Sequence, residues 1–487
     1  MARDIPRILE PYGALLDEGT LDRLIAVLDD PLPAALRVNP LKIEPAEAAR
    51  LWRQWYGWEL QPVPFCPAGW QLAEPSELLS RTVEHQMGLY YIQDAASMLP
   101  VELFDFAPGA APLVLDMAAS PGGKTTHLIG RLGDQGLVVA NDSNTQRLPA
   151  LQANLGRWGA TGAAVTNHPG ERFGAWLPEA FDAVLLDAPC SGEALRTGEK
   201  RKSRLISSHE RNTLQQRQIK LLESAAQALR PGGQLVYATC SLAPEEDEAV
   251  LDALLRRYPG QLELEAAPPR LAISAPGLAG AGGQDYHPAM ARALRLWPHL
   301  YDTAGFFAAR LRKRDSIPAQ QAAQGAPAPH RPLDKAGFKP LAAAEQGQIE
   351  TALRDEFGFD LAAFLGRQGL ELWKSGKLVQ GLPARWLARF GELPFAAAGL
   401  PIGKLSRQGF QPAHELVSRC FAEFPGGRLR IDDGHIAAWL ARRDLPRQAA
   451  PAGLDARLVL LEDSRGRFLG RAGVTDQALE NLLPRWQ

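Results

Sequence analysis

Between residues 113 and 258, apolar runs of strand length alternate with amphipathic stretches of helix length, and no other feature restricts the fold as much. Strands read at 113–117, 136–142, 163–167, 181–187 and 234–239; helices read at about 123–132, 144–158, 207–230 and 245–258. Near-continuous apolar strands separated by helices imply a parallel, doubly wound α/β sheet of Rossmann-like type. A late apolar run, Gly305 to Leu311, supplies an edge strand. In the last helix, Glu245, Glu246, Asp247 and Glu248 fall in the first turn and Arg256 and Arg257 in the last. That arrangement suits the helix dipole, so these acids read as a helix-end device rather than a catalytic cluster.

The first strand runs into L-V-L-D-M-A-A-S-P-G-G-K-T-T-H-L, Leu113 to Leu128. A strand turning through glycines into a helix N-terminus lets backbone N–H groups approach a ligand closely. A Walker A loop would need glycine at position 118, where the chain has Ala118. A dinucleotide fingerprint needs G-x-G-x-x-G, and only Gly122-Gly123 is present. An S-adenosylmethionine site asks less: a tight small-residue turn, and a carboxylate ending the next strand for the ribose hydroxyls. Asp142 stands at that end.

At 487 residues the chain has room for about three domains. The net charge of -2 and a pI near 6.5 exclude a globally basic nucleic-acid binder, so any RNA surface must be a local patch. Cys66, Cys190, Cys240 and Cys420 lie far apart without C-x-x-C, which indicates neither a zinc site nor a disulfide framework. No run approaches membrane-spanning length and the N-terminus has no apolar core of a signal segment, so the expected location is cytoplasmic. The chain divides into a helix-rich region at 1–106, a catalytic core at 107–315, a Pro/Ala/Gln-rich linker at 316–333, an intermediate unit at 334–399 and a final module of short strands at 400–487. Trp52, Trp55, Tyr56 and Trp58, near Arg50 and Arg53, could stack RNA bases, but their helical spacing favours a core role.

Two motifs fall at the ends of successive strands. Phe181 to Gly192 reads F-D-A-V-L-L-D-A-P-C-S-G, and Gln234 to Ser241 reads Q-L-V-Y-A-T-C-S. Ligands of doubly wound sheets gather outside the carboxyl ends of the strands. Asp187, Cys190 and Cys240 would then meet beside the cofactor turn. Methylation of a pyrimidine at C5 needs such a set. A thiolate adding to C6 converts the ring into an enamine that can attack an electrophilic methyl group. Asp187, with a carboxyl raised by burial, can share a proton with N3 of cytosine. Afterwards H5 and the thiol must leave, and a second thiol can help. No metal is required.

The motifs A-S-P-G-G-K, D-A-P-C-S-G and T-C-S resemble those of the Sun-type RNA cytosine-5 methyltransferases, and within them the bacterial RsmF type that acts on small-subunit rRNA. The likeness extends to Arg37-Val-Asn39, to Tyr90–Asp94, to Leu296–His299 with Gly305–Phe307, and to Ile402–Gly409, where that family's C-terminal PUA-like module begins. The resemblance implies Cys240 as nucleophile and Cys190 as the residue assisting release. DNA cytosine-5 methyltransferases use the cysteine of their P-C motif, so chemistry alone does not rank the two thiols. It also implies S-adenosylmethionine contacts from Ala118, Ala119, Ser120, Pro121, Gly122, Gly123 and Lys124, and from Asp142 and Asp187. Two departures stand out. Pro169 sits where the family often has an acid for the adenine amino group, with Asn167 as a substitute, and Gly192-Glu193-Ala194 replaces G-E-G.

The expected activity is therefore methylation of cytosine C5 in 16S rRNA through a covalent Cys–C6 adduct. The partner is small-subunit rRNA or the small ribosomal subunit, met by a monomer with no membrane contact. Lys200–Arg204 and Arg310–Arg314 are the basic candidates for RNA contact, and the final module for orienting it. The rival readings are a P-loop-like NTPase built on Lys124 and a non-catalytic rRNA-binding assembly factor.

Overall fold

The computed structural model describes residues 9, 12–73, 78–193, 195, 206–271, 273–317 and 327–485. The basic run Lys200–Arg204, Ala194 and residues 318–326 of the 316–333 linker lie outside the described residues.

The N-terminal region opens with α1 (Glu18–Leu28), whose first turn is capped by the Asp17 carboxylate accepting from Thr20 N at 2.9 Å. Helix α2 (Pro45–Tyr56) packs on an antiparallel sheet of β1 (Ala34–Val38), β2 (Leu60–Pro62), β3 (Gly69–Leu72) and β4 (Tyr90–Ile92), in the order β2–β3–β1–β4. Of this sheet the sequence shows only a strand-like piece at 36–42, because strands of three to five residues are too short for alternation to show. Trp52 and Trp58 are buried with Tyr90 in its core, so they do not stack RNA. Trp55 and Tyr56 are half-buried beneath the guanidinium of Arg465.

The central sheet contains β5 (Leu113–Asp116), β6 (Leu137–Asn141), β7 (Ala163–Thr166), β8 (Phe181–Asp187), β9 (Leu229–Thr239), β10 (Leu262–Glu265), β11 (Leu294–Leu296), β12 (Phe306–Lys313) and β13 (Ala397–Ala398). Their order is β10–β12–β9–β8–β5–β6–β7–β13, with β11 on β12. Strands β5 to β9 run parallel; β12 joins β9 antiparallel. Helices α3 (Gly123–Arg131), α4 (Leu148–Trp158), α5 (Ser208–Ala228) and α6 (Glu248–Arg257) cover both faces. Two apolar cores follow, one on each face of the sheet. The topology reverses at β5, so its carboxyl end is the expected ligand crevice.

The last element, β13, comes from the region after the linker yet pairs antiparallel with β7, flanked by hydrogen bonds from Ala396 N and Gly399 N to Val165 O and Ala163 O, each 2.8 Å. Beyond it a five-stranded sheet includes Leu370–Ser375, Leu378–Pro383 and Leu400–Ser406, and a second spans Arg428 to Asn481. Leu400–Ser406, at the start of the module drawn from sequence, thus pairs with Leu378–Pro383 rather than with the final sheet.

Candidate active site

The turn after β5 is held from three sides. Gly122 adopts φ 108, and a Cβ there would meet Leu151 Cδ1 at 3.0 Å. A left-handed residue with no side chain is what lets the chain swing into α3. Beneath the turn, the fully buried Arg37 donates to Gly123 O at 2.9 Å and to Thr126 Oγ1 at 2.8 Å, while stacking 4.7 Å from the Trp158 ring. The N-terminal sheet therefore braces the turn through one guanidinium. On the far side, the Asp142 carboxylate accepts from Ser120 N at 3.2 Å and Asn144 N at 2.8 Å and pairs with Arg147 at 3.3 Å.

Under the same turn lies Asp116. Its Oδ2 accepts from Thr125 at 2.7 Å, whereas Oδ1 is buried without a hydrogen-bond partner. Burial, aided by the negative field of Asp187 against the Thr125 hydrogen bond, raises this carboxyl to about 7. An orphaned acceptor beside a glycine turn, with Asp142 ending the neighbouring strand, fits a cofactor that carries an amino group and ribose hydroxyls. Asn167, next to Pro169, donates to Asp142 O at 2.6 Å and accepts from Thr145 at 3.0 Å.

Register brings the reactive groups together. Asp187 on β8 sits level with Ala238 on β9, so Cys190 and Cys240 emerge side by side with their sulfurs 3.3 Å apart. The hydrogen-bonded Cys240 sulfur, then burial, then the nearby carboxylates of Glu246 and Asp187, push the Cys190 thiol well above its ordinary value. The contact therefore holds a proton between the two sulfurs. Lys124 Nζ lies 2.7 Å from Asp187 Oδ2 and 5.2 Å from the Phe306 ring. Burial opposes its charge, but the Asp187 carboxylate outweighs burial and holds the ammonium above its usual range.

Two expectations need correction. Asp187 is not a buried carboxyl. Its side chain is 31% exposed and ion-paired with Lys124. The acids after Cys240 are not a helix-end device either. Helix α6 begins only at Glu248, and Glu246, Asp247 and Glu248 are all fully buried. Asp247 and Glu248 pair with the buried Arg295, and Glu246 accepts from Ser191 and Ser241. The legible signal was the serine that follows each cysteine, a matched pair of donors awaiting one acceptor.

The run Arg310–Arg314 is also not an open basic surface. It lies on β12, where Arg310 and Arg312 pair with Glu265, Arg314 with Glu263, and the buried Lys313 with Glu179.

Residues 105–312 match the family described as 16S rRNA methyltransferase RsmB/F, and residues 6–95 match the N-terminal domain of 16S rRNA methyltransferase RsmF. The "Ribosomal RNA small subunit methyltransferase F" of Shigella boydii serotype 18 is 35% identical over 470 residues, covering 96% of this chain and 92% of that one. The same-named protein of Klebsiella pneumoniae strain 342 gives the same identity and coverage. Among solved structures, a methyltransferase homologue from Pyrococcus horikoshii shares 34% identity with a TM-score of 0.54, covering 63% of this chain and 93% of that one.

Proposed function

This chain belongs to the RsmB/F family of 16S rRNA methyltransferases, and from that premise we propose how its two thiols and its Lys124–Asp187 pair divide the work of cytosine C5 methylation. The activity is S-adenosylmethionine-dependent methylation of small-subunit rRNA. The observation that carries the division of labour is the 3.3 Å approach of Cys190 and Cys240 beside that ion pair.

The turn Ala118–Lys124, Asp142 and the unpartnered oxygen of Asp116 would hold the cofactor. When bound, S-adenosylmethionine supplies an electrophilic methyl group. Cys240 adds to C6 of an extruded cytosine, and electron density moves toward N3. The Lys124 ammonium, held charged by Asp187, stabilises the negative charge that develops toward N3. Release requires transfer of H5 to solvent water and departure of the Cys240 sulfur. Cys190, in contact with that sulfur, gives it a proton as it leaves and regains one from solvent. With Lys124 committed to Asp187 and Ala118 in place of the Walker glycine, the residues do not support phosphate transfer.

The substrate is rRNA, free or in the small subunit, met by a monomeric, cytoplasmic enzyme whose C-terminal sheets, PUA-like in the final module, orient it. Among the described residues no helix is long and apolar enough to cross a membrane.

The test is transfer of labelled methyl groups to 16S rRNA and to intact small subunits, with base-resolved mapping, by wild type, Cys190→Ala and Cys240→Ala. Cys240→Ala is expected to be inactive and Cys190→Ala to stall as a covalent RNA adduct. Methylation by Cys240→Ala would assign the nucleophile elsewhere.

A further inference from the structure

We infer that Glu246 is a positioning residue that sets the distance between the two thiols, acting through the serines that follow them. The inference rests on the thiol roles proposed above. Glu246 is fully buried, and its carboxylate is surrounded by donors from three separate elements. From the Cys190 loop, Ser191 N donates to Oε2 at 2.9 Å and Ser191 Oγ to Oε1 at 2.5 Å. From the Cys240 loop, Ser241 Oγ donates to Oε1 at 3.1 Å. From α5, the buried Gln218 donates to Oε2 at 3.0 Å and to Pro189 O at 2.9 Å. Cys190 is thus gripped at the residue before it and the residue after it.

The grip on Cys240 comes from the same short segment. Thr239 Oγ1, just before the cysteine, donates to Asp247 Oδ1 at 2.6 Å, and Ser241, just after it, reaches Glu246. The segment is itself fixed from below, where Tyr237 OH donates to Glu246 O at 2.5 Å. Arg211 pairs with Glu246 only at 3.9 Å and lies closer to Glu193, at 2.9 Å. Short hydrogen bonds therefore do most to offset the cost of burying this carboxylate.

Ser191 N and Gln218 Nε2 must find an acceptor at Oε2, while the two hydroxyls at Oε1 can donate or accept. Glutamine can meet this pattern with its NH₂ toward the hydroxyls, whereas leucine, which offers neither donor nor acceptor, releases both cysteine loops. Cytosine addition takes one sulfur only. Release needs the second sulfur still within reach of the first, so it is the step most sensitive to their spacing. A misplacement of about 1 Å can cost on the order of 10²-fold in a positioned step.

The experiment is single-turnover methylation of 16S rRNA and small subunits with labelled cofactor, resolving covalent protein–RNA adduct from released product. Glu246→Leu and the double variant Ser191→Ala with Ser241→Ala are compared with wild type, alongside Glu246→Gln as the variant that keeps the contacts, S-adenosylmethionine affinity and thermal denaturation. The double variant carries the test should Glu246→Leu fail to fold. The expected result is a rise of about tenfold or more in the adduct-to-product ratio, with cofactor affinity within about twofold of wild type. Adduct and product falling in equal proportion, or an unchanged ratio, would overturn the inference while leaving the thiol roles intact. Absence of any adduct from Cys190→Ala would instead remove those roles, and this inference with them.

Discussion

Lys124 opens α3 and Asp187 closes β8, 63 residues apart in sequence, yet their charges meet at 2.7 Å between the cofactor turn and the two thiols. A cation fixed there serves a developing charge on a nearby ring in a way that a solvated lysine could not. Lys124→Met should lower the methylation rate at saturating cofactor by about 10²-fold or more, the scale of one positioned group that stabilises developing charge. Pre-steady-state assays with 16S rRNA check this, and a rate within a few-fold of wild type would remove Lys124 from the mechanism.

Asp116 makes stability depend on pH with a definite sign. Its carboxyl rises from 3.8 to about 7 through burial, so the folded state holds a proton that the unfolded chain releases. The resulting stabilisation is complete below about pH 4 and is lost as pH rises through 7, with a span on the order of 4 kcal/mol. Asp116→Asn should flatten that part of the profile, gaining relative to wild type at pH 8. Denaturant titrations of both proteins between pH 5 and 8 supply the comparison.

Arg295 is fully buried against two carboxylates, 3.2 Å from Asp247 and in closer contact with Glu248. Arg295→Met leaves both acids without their cation, and breaking a buried pair this way costs about 3–5 kcal/mol. Chemical denaturation should show a loss of that size. Methylation should fall too, because Asp247 holds Thr239 beside Cys240.

Two left-handed glycines should respond differently to alanine. At Gly88, φ is 71 and a Cβ would lie 2.0 Å from Arg157 O, where the N-terminal region meets α4. At Gly57, φ is 68 but nothing lies within 4 Å. Gly57→Ala should cost about 1–2 kcal/mol, the ordinary left-handed penalty. Gly88→Ala should cost more, because backbone must move as well. Parallel denaturation curves decide the order.

The elements that were legible in sequence are those whose signals are local. The strands ending at Asp116 and Asp187 and the helix at 123–131 announce themselves by apolar runs and a glycine turn. Strand β9 begins at Leu229 rather than Gln234, because Arg230 to Gly233 reads as a turn while its backbone continues the strand. The pairing of Cys190 with Cys240 was legible once both were placed at strand ends. Hidden were properties set by distant partners: the burial of Glu246 by Ser191 and Gln218, the capture of the Arg310–Arg314 cations by Glu263 and Glu265, and the exposure of Asp187. Charge runs show which residues ionise, not what they face.

The pairing of Ala397 and Ala398 with β7 also bears on how the enzyme can be handled in pieces. Strand β7 would otherwise be the rim of the central sheet, offering the carbonyls of Ala163 and Val165 to any chain that could add to them. The downstream region acts as a plug on that rim. A truncated enzyme ending before residue 334 would keep every proposed catalytic residue and lose the plug, leaving a sticky edge strand beside an intact pocket. Such a fragment is expected to self-associate through strand addition.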